Sequence, residues 1–549
     1  MGGWWQRAGV VRERARYGSV PSVEKALGSL PVVAAFAGRL RIRDVIDGLC
    51  PVDDRSELTH GQVIEALVAN RLTSPEPLVR VRDWAGGYAV EEVFGLRPEQ
   101  LNDDRVGRAL DAIAPRVDSI AGSVGAAAIK VFGIDVSRMH WDMTSMSLHG
   151  EYEQADEEYP APKFGHPKDR RPDLKQVQTG IAVTGDGGIP LFHRAYDGGA
   201  GEVAQVIPMM KALQQIATSR RLLIVGDSKL VSYDNLATMH ADEVNFVAPA
   251  SKVYVNAEAL TGLDLARATR VDYVAARDQG KDPAKLGTWH VYEDTMTLTD
   301  PKKKRPALTV RRVFVHSSAR AQAAGSARAT KLDRAADDLA RLTRGLGCRH
   351  YPDTAAVETR VAVIGKTRRV TAYLRTTTGT DTDTGKPTLT WHFDQQTIDA
   401  EAATDGWYAL LTNLKADHAD ATQVLLHYKG QEAVERRYST FKGPLAVAAI
   451  YLKDNRRITA MITVVCLALL IFSLIERQIR AALRTQDRTT VAGLYAGRPA
   501  IPTTRLIFQA LAGMRLIPAT SGNLHTIPQP TALQLEILEL LDVNPLEWC

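Results

Sequence analysis

Cysteine is scarce: four residues in 549, Cys50, Cys348, Cys466 and Cys549, widely scattered and without CxxC spacing. That argues against a disulfide framework and a structural zinc site, and it fits a reducing cytoplasm. The opening stretch MGGWWQRAGVVRERARYG lacks the apolar core of a secretory signal. No internal repeat and no extended low-complexity tract is present. Excess charge is small too: 68 Lys+Arg against 63 Asp+Glu leave a net +5, so bulk charge is a weak pointer to a polyanionic partner. What is left is an ordinary globular composition, 45% hydrophobic and 24% charged. The length suggests about three or four domains.

The basic residues are clustered. Lys302-Lys303-Lys304-Arg305, Lys366 with Arg368-Arg369, and Arg436-Arg437 can neutralise phosphates, although each alone also suits a solvated loop. One apolar run, ITAMITVVCLALLIFSL from Ile458 to Leu474, is close to the minimum length of a membrane span. Basic residues flank it on both sides and give no orientation. Its late position and short length favour a buried core helix.

Residues 1–125 read as a helical N-terminal domain. ELTHGQVIEALVANRL has helical spacing, and LNDDRVGRALDAIAP begins with cap-type residues and ends at proline. Such short helices suit a DNA-binding module and also any small helical domain. Residues 126–250 change character. Ala128–Met146 (AIKVFGIDVSRMHWDMTSM) is strand-rich, QVQTGIAVT and IPLFHRAYDGG form a hairpin about GDGG, and GEVAQVIPMMKALQQIA reads as a helix. RLLIVGD is a short buried strand ending in Asp227. Residues 251–400 show short alternating runs such as GTWHVYEDTMTLT and read as a β-rich insertion, with one helical stretch, ATKLDRAADDLARLTRGL. GWYALLTNL restores the core pattern in 401–480, and 481–549 reads as a C-terminal helical region containing LQLEILELLDV.

Chemistry is carried by acidic residues on separate elements: Asp142 on the first strand, Asp227 ending the fourth, and Glu435 in HYKGQEAVERRYSTFKGPL. Hard divalent ions such as Mg²⁺ need oxygen ligands and accept a few carboxylates plus substrate phosphate. Two ions ~3.5–4 Å apart can clamp the attacking and leaving oxygens of a phosphoryl displacement. Read as one helix, the last segment places Tyr428, Gln431, Glu435 and Lys442 within roughly a 60° arc. A phenol, an amide and an ammonium there can hold phosphate oxygens. Val434, Tyr438 and Phe441 can pack the adjoining face, while Arg436 and Arg437 point elsewhere. Spacing alone fits a solvated amphipathic helix equally well.

The array Tyr428-x2-Gln431-x3-Glu435-x6-Lys442 resembles the Y-(2)-R-(3)-E-(6)-K signature of DDE insertion-sequence transposases, in the insertion-sequence-four superfamily with its β-rich insertion before the glutamate. Gln431 stands where arginine is usual. WDMTS resembles the first-aspartate strand, KDRRPDLKQ the stretch between the first two acidic residues, and GDSKLVS the second-aspartate motif. The motifs occur in order over most of the chain. The resemblance implies an α/β, RNase H-like mixed-sheet catalytic core interrupted by the β-rich insertion, with an N-terminal helical domain. It makes Asp142, Asp227 and Glu435 the catalytic, metal-binding triad holding two Mg²⁺ ions, with Mn²⁺ as a substitute. Asp135 is the rival for the first position; Thr144 after Asp142 favours Asp142.

Tyr428, Gln431 and Lys442 would contact transposon-end phosphates, Gln431 without the charge and fork of arginine. Trp289 is the candidate insertion aromatic that stacks a flipped base. Trp391 and Trp407 read as core, and His193, His350 and Cys348 as structural. The implied reaction is hydrolysis at each element end, followed by attack of the freed 3′-hydroxyl on target DNA. The implied partners are double-stranded DNA, both terminal inverted repeats and target, and a second copy of the chain on that DNA. No membrane is expected, and the location would be cytoplasmic, with the nucleoid. The rivals are a metal-dependent nuclease on the same core, a non-catalytic DNA-binding transposase derivative, and a membrane protein using Ile458–Leu474.

Overall fold

The computed structural model describes residues 24–544 except 154–155, 166, 168–169, 218–220, 252, 276–277, 279, 303, 446–451 and 519–524. The signal-peptide reading, Cys549, Lys303 and part of KDRRPDLKQ therefore lie outside the described residues.

After a short strand β1 (Lys25–Ala26) come seven helices: α1 (Leu30–Arg39), α2 (Ile42–Leu49), α3 (His60–Thr73), α4 (Val81–Gly87), α5 (Val90–Phe94), α6 (Asp103–Ile113) and α7 (Val117–Phe132). Their starts follow the side chains: Thr59 and Gln62 form a reciprocal cap on α3, and Asn102 accepts from the Arg105 amide on α6. The strand reading of Ala128–Phe132 gives way here. Those residues complete α7, which stops at Gly133 in the left-handed region (φ 58°).

The central sheet begins with β2 (Arg138–Leu148), β3 (Lys175–Thr184) and β4 (Pro190–Asp197), joined antiparallel. The β3–β4 turn uses Gly187 and Gly188, both at positive φ. α8 (Glu202–Ala217) crosses to β5 (Leu223–Val225), and α9 (Tyr233–Ala241) to β6 (Asn245–Pro249). Both strands run parallel to β2, giving the order β4-β3-β2-β5-β6 of an RNase H-like core.

The interruption has two parts. After α10 (Ala257–Thr261), the strands β7 (Thr269–Val271), β8 (Trp289–Leu298) and β9 (Leu308–Ser317) extend the same sheet. Beyond them lies a mainly helical unit: α11 (Ser318–Arg344), α12 (Thr354–Arg368), the hairpin β10 (Leu374–Thr380)–β11 (Pro387–Phe393) and α13 (Gln395–Ala402). It has its own core, including Leu339, Leu342, Val361 and Tyr373. The expected β-rich character thus holds for the sheet strands and not for this unit. Alanine and charged helix formers dominate α11, and packing on α11 holds the β-branched residues of α12 in a helix.

β12 (Trp407–Thr412) returns between β6 and β9 and completes a nine-stranded sheet. It leads into α14 (Ala421–Lys429), α15 (Glu432–Lys442) and α16 (Asn455–Arg484). The apolar run lies within α16, and its most apolar stretch is wholly buried inside the protein, against α3, α6, β4 and α15. The N-terminal helices, α16 and the sheet thereby share one hydrophobic core. The small strands β13 (Val491–Tyr495), β14 (Arg498–Ala500), β15 (Arg515–Pro518) and β16 (His525–Thr526), with α17 (Thr504–Leu511) and α18 (Ala532–Leu540), end the chain, and β15 pairs with β1.

Candidate active site

The parallel pairing of β2 and β5 runs Arg138–Leu223, Met139–Ile224 and His140–Val225. Asp142 and Asp227 each stand two residues beyond the last of these pairs. Strand alternation puts Asp142 on the same face as His140; counted on from these pairs, Asp142 in the middle of β2 and Asp227 just past the end of β5 fall in one register on neighbouring strands. Open α/β sheets place their sites beyond the carboxyl ends of such strands, here where β5 stops and β2 runs on. Asp227 also starts a tight turn, accepting from the Lys229 amide at 2.9 Å. Asp135 stands at the other end of β2, before its first residue. It is exposed and accepts from the Ser137 amide.

The segment read as one helix from Tyr428 to Lys442 is two. α14 ends at Lys429 and α15 begins at Glu432, with i→i+3 bonds at the joint, from Gln431 N to Tyr428 O (2.9 Å) and Val434 N to Gln431 O (3.1 Å). A single 100° count therefore does not carry across from Tyr428 to Lys442. The break brings the backbone down onto β2. A Cβ on Gly430 would lie 2.7 Å from His140 Cε1, so only glycine allows this approach.

Gln431 turns inward there. Its amide donates to the Trp141 carbonyl (2.9 Å), and its oxygen lies 3.3 Å from His140 Nδ1. Both polar atoms of Gln431 thus face β2, and the phosphate contact expected of it stays a proposal. On α15, Val434, Tyr438 and Phe441 are buried as the spacing predicts, while Glu435 is exposed toward solvent and Lys442 is half-buried. Arg437 is buried against the β3–β4 turn, donating to Gly187 O and Gly188 O.

Burial raises the Tyr428 phenol pKa, the Glu435 and Asp227 charges raise it further, and the Arg320 cation draws it part of the way back. Beside the Tyr428 ring, Tyr408 is 6.4 Å away, and Lys429 places its ammonium 3.6 Å from the Trp289 ring centroid. Trp289 also meets Tyr273 edge-on. Trp391 and Trp407 pack in hydrophobic clusters, His193 is 3.2 Å from the Thr463 hydroxyl, and Cys348 and His350 are exposed.

Among the described residues, no three His, Cys, Asp or Glu side chains are grouped closely enough to hold a metal ion. Mg²⁺ keeps several waters and takes one or two carboxylates plus substrate phosphates rather than a closed protein cage. Asp142 and Asp227 on neighbouring strands, with Glu435 on the adjoining α15, are the oxygen ligands that would hold such an ion together with DNA.

His140 is fully buried, and burial first, then the Arg138 cation, lowers its pKa to about 4. Burial lowers His193 to about 4 as well. The unfolded chain binds these protons from pH ~6.5 downward while the folded chain does not, so their stabilisation is complete above that pH and lost on acidification. Taking the protein from pH 7 to pH 5 is expected to cost about 2 kcal/mol for each histidine. Urea unfolding at the two pH values measures it, and His140→Gln is expected to remove the His140 share and leave that of His193.

Sequence reasoning missed the inward role of Gln431, the hydroxyl of Tyr438 and the burial of Arg437. Only Gly430, a glycine inside a helical pattern, hinted at the break.

The family model described as "Transposase DDE domain" matches residues 141–471, and a domain of unknown function matches residues 22–117. No curated protein matches the chain. Among solved structures, the chain is similar to a piggyBac transposase synaptic complex with hairpin DNA, at 8% identity and TM-score 0.38, covering 89% of this chain and 82% of that one. It is also similar to a Mos1 transposase paired-end complex with the left transposon end, at 10% identity and TM-score 0.15, covering 36% and 60%.

Proposed function

The chain belongs to the DDE-domain transposases, and from that premise we propose that this DNA transposase cuts element ends and joins the freed 3′-hydroxyl to target DNA. The observation that carries the reading is the shared register of Asp142 and Asp227 beside the helix that bears Glu435. These three carboxylates are the catalytic groups. With Mg²⁺ bound, or Mn²⁺ in its place, the site gains the positive charge that stabilises developing charge on the reacting phosphate oxygens.

The chain's own residues hold the DNA around that point. Lys442, on the last turn of α15, supplies a cation for a backbone phosphate, and the Tyr428 phenol donates to another. The Trp289 face is a stacking surface for an unpaired base, once Lys429 moves from the ring to a phosphate. The N-terminal helices and the helical insertion unit frame the duplex. The array from Tyr428 to Lys442 supports membership of the insertion-sequence-four group, with Gln431 as its departure. Pairing of two element ends calls for two copies of the chain on DNA, in the cytoplasm and away from the membrane.

A nuclease on the same core would stop at hydrolysis. Pre-cut end DNA with a free 3′-hydroxyl, incubated with Mg²⁺ and a plasmid, is expected to become covalently joined to the plasmid. Gel analysis that finds nicked plasmid and no joined product would favour the nuclease.

A further inference from the structure

Two side chains flank Glu435, Gln431 at the cap of α15 and Tyr438 on the helix, and both grip the main chain of β2. Gln431, four residues earlier, donates to the Trp141 carbonyl at 2.9 Å. Tyr438, three residues later, is buried. Its hydroxyl accepts from the Ile181 amide (3.0 Å), and its proton faces the Asp142 carbonyl (2.5 Å) and the Thr179 carbonyl (3.1 Å). Asp142 and Ile181 are opposite one another on β2 and β3, so this hydroxyl sits between two ladder partners. Successive carbonyls of a strand point to opposite edges. Trp141 O therefore lies on the β5 side, where a Cβ on Gly226 would be 3.7 Å away, and Asp142 O on the β3 side. The helix straddles β2, with one hydrogen bond on each side of the residue that carries the first carboxylate.

We propose that Gln431 and Tyr438 are positioning residues, a two-point clamp that fixes Glu435 relative to Asp142 and so sets the spacing of the carboxylates that share the metal. The proposal rests on the reading of Asp142 and Glu435 as cleavage residues. It gives Gln431 a role that arginine could not fill in the same way, since a guanidinium has donors only, and Gln431 both donates to Trp141 O and offers its oxygen to His140. A mismatch of about 1 Å in a reacting constellation can cost ~10²-fold in rate.

The experiment uses the full chain, end DNA and single-turnover cleavage across a Mg²⁺ titration. Tyr438→Phe keeps the ring and removes the hydroxyl; Gln431→Leu keeps the bulk and removes the amide. Each is expected to bind end DNA as the wild type does, to cleave about tenfold or more slowly, and to need more Mg²⁺ for half its maximal rate. Should Tyr438→Phe fail to fold, Gln431→Leu carries the test, because its side chain is only half-buried. Gln431→Arg separates the clamp from a DNA contact. A clamp predicts slower cleavage with no gain in affinity, whereas a phosphate contact predicts tighter binding and a steeper salt dependence. Unchanged cleavage and Mg²⁺ dependence in folded variants, or tighter binding with faster cleavage in Gln431→Arg, would overturn the clamp. If Glu435→Gln itself cleaves normally, the carboxylate reading fails instead; if it is inactive while the clamp variants cleave normally, the clamp alone is wrong.

Discussion

Glu435→Gln is expected to lower end cleavage in Mg²⁺ by about a thousandfold or more, with DNA binding retained. The substitution keeps the shape of the side chain and removes its charge. A metal-centred site supplies several kcal/mol of transition-state stabilisation, and each 1.36 kcal/mol is tenfold in rate. Glu435 lies on the exposed side of α15, so the fold has little to lose. Removing a negative charge beside phosphates is expected to hold or strengthen binding, not weaken it. A mobility shift together with single-turnover cleavage on one end-DNA duplex separates the two effects. Normal cleavage by the variant would take Glu435 out of the mechanism.

Leu469→Asp is expected to leave no folded protein. Leu469 is fully buried in α16, among helices of the N-terminal region and beneath the sheet. A carboxylate there has no partner, and burying it costs several kcal/mol, comparable with the whole stability of a domain. Leu469→Ala, by contrast, is expected to fold and to lose about 2–5 kcal/mol. Circular dichroism and urea titration of the purified chains check both. A folded Leu469→Asp protein with unchanged stability would mean that α16 is not the core helix described here.

The RNase H-like order could be read from the chain because its signals are local. The GDGG turn fixes the β3–β4 hairpin, and the short apolar run into Asp227 reads as a buried parallel strand. The length and position of the apolar segment point to the core, and α16 buries it. Other features depend on tertiary contacts that a spacing count does not contain. Nothing local distinguishes a Gly430 that continues a helix from one that breaks it, since Gly430 and Gln431 both keep right-handed helical dihedrals (φ/ψ −60°/−16° and −58°/−24°). What sets the joint apart is the closeness of His140 across it. Likewise, the amphiphilic count assigns Tyr438 to the packed face but is silent on its hydroxyl, whose partners sit more than two hundred residues away in sequence. The β-branched residues of α12 pull toward strand by propensity, and packing on α11 overrides them.

These carboxylates are expected to cleave DNA only with a divalent metal. Wild-type protein bound to end DNA in EDTA and then given Mg²⁺ tests it in one tube, with Glu435→Gln alongside. The expected result is a stable complex with no cleavage in EDTA, cleavage at the element end once Mg²⁺ is added, and none in the variant. Cleavage in EDTA, or equal cleavage by Glu435→Gln, would contradict it.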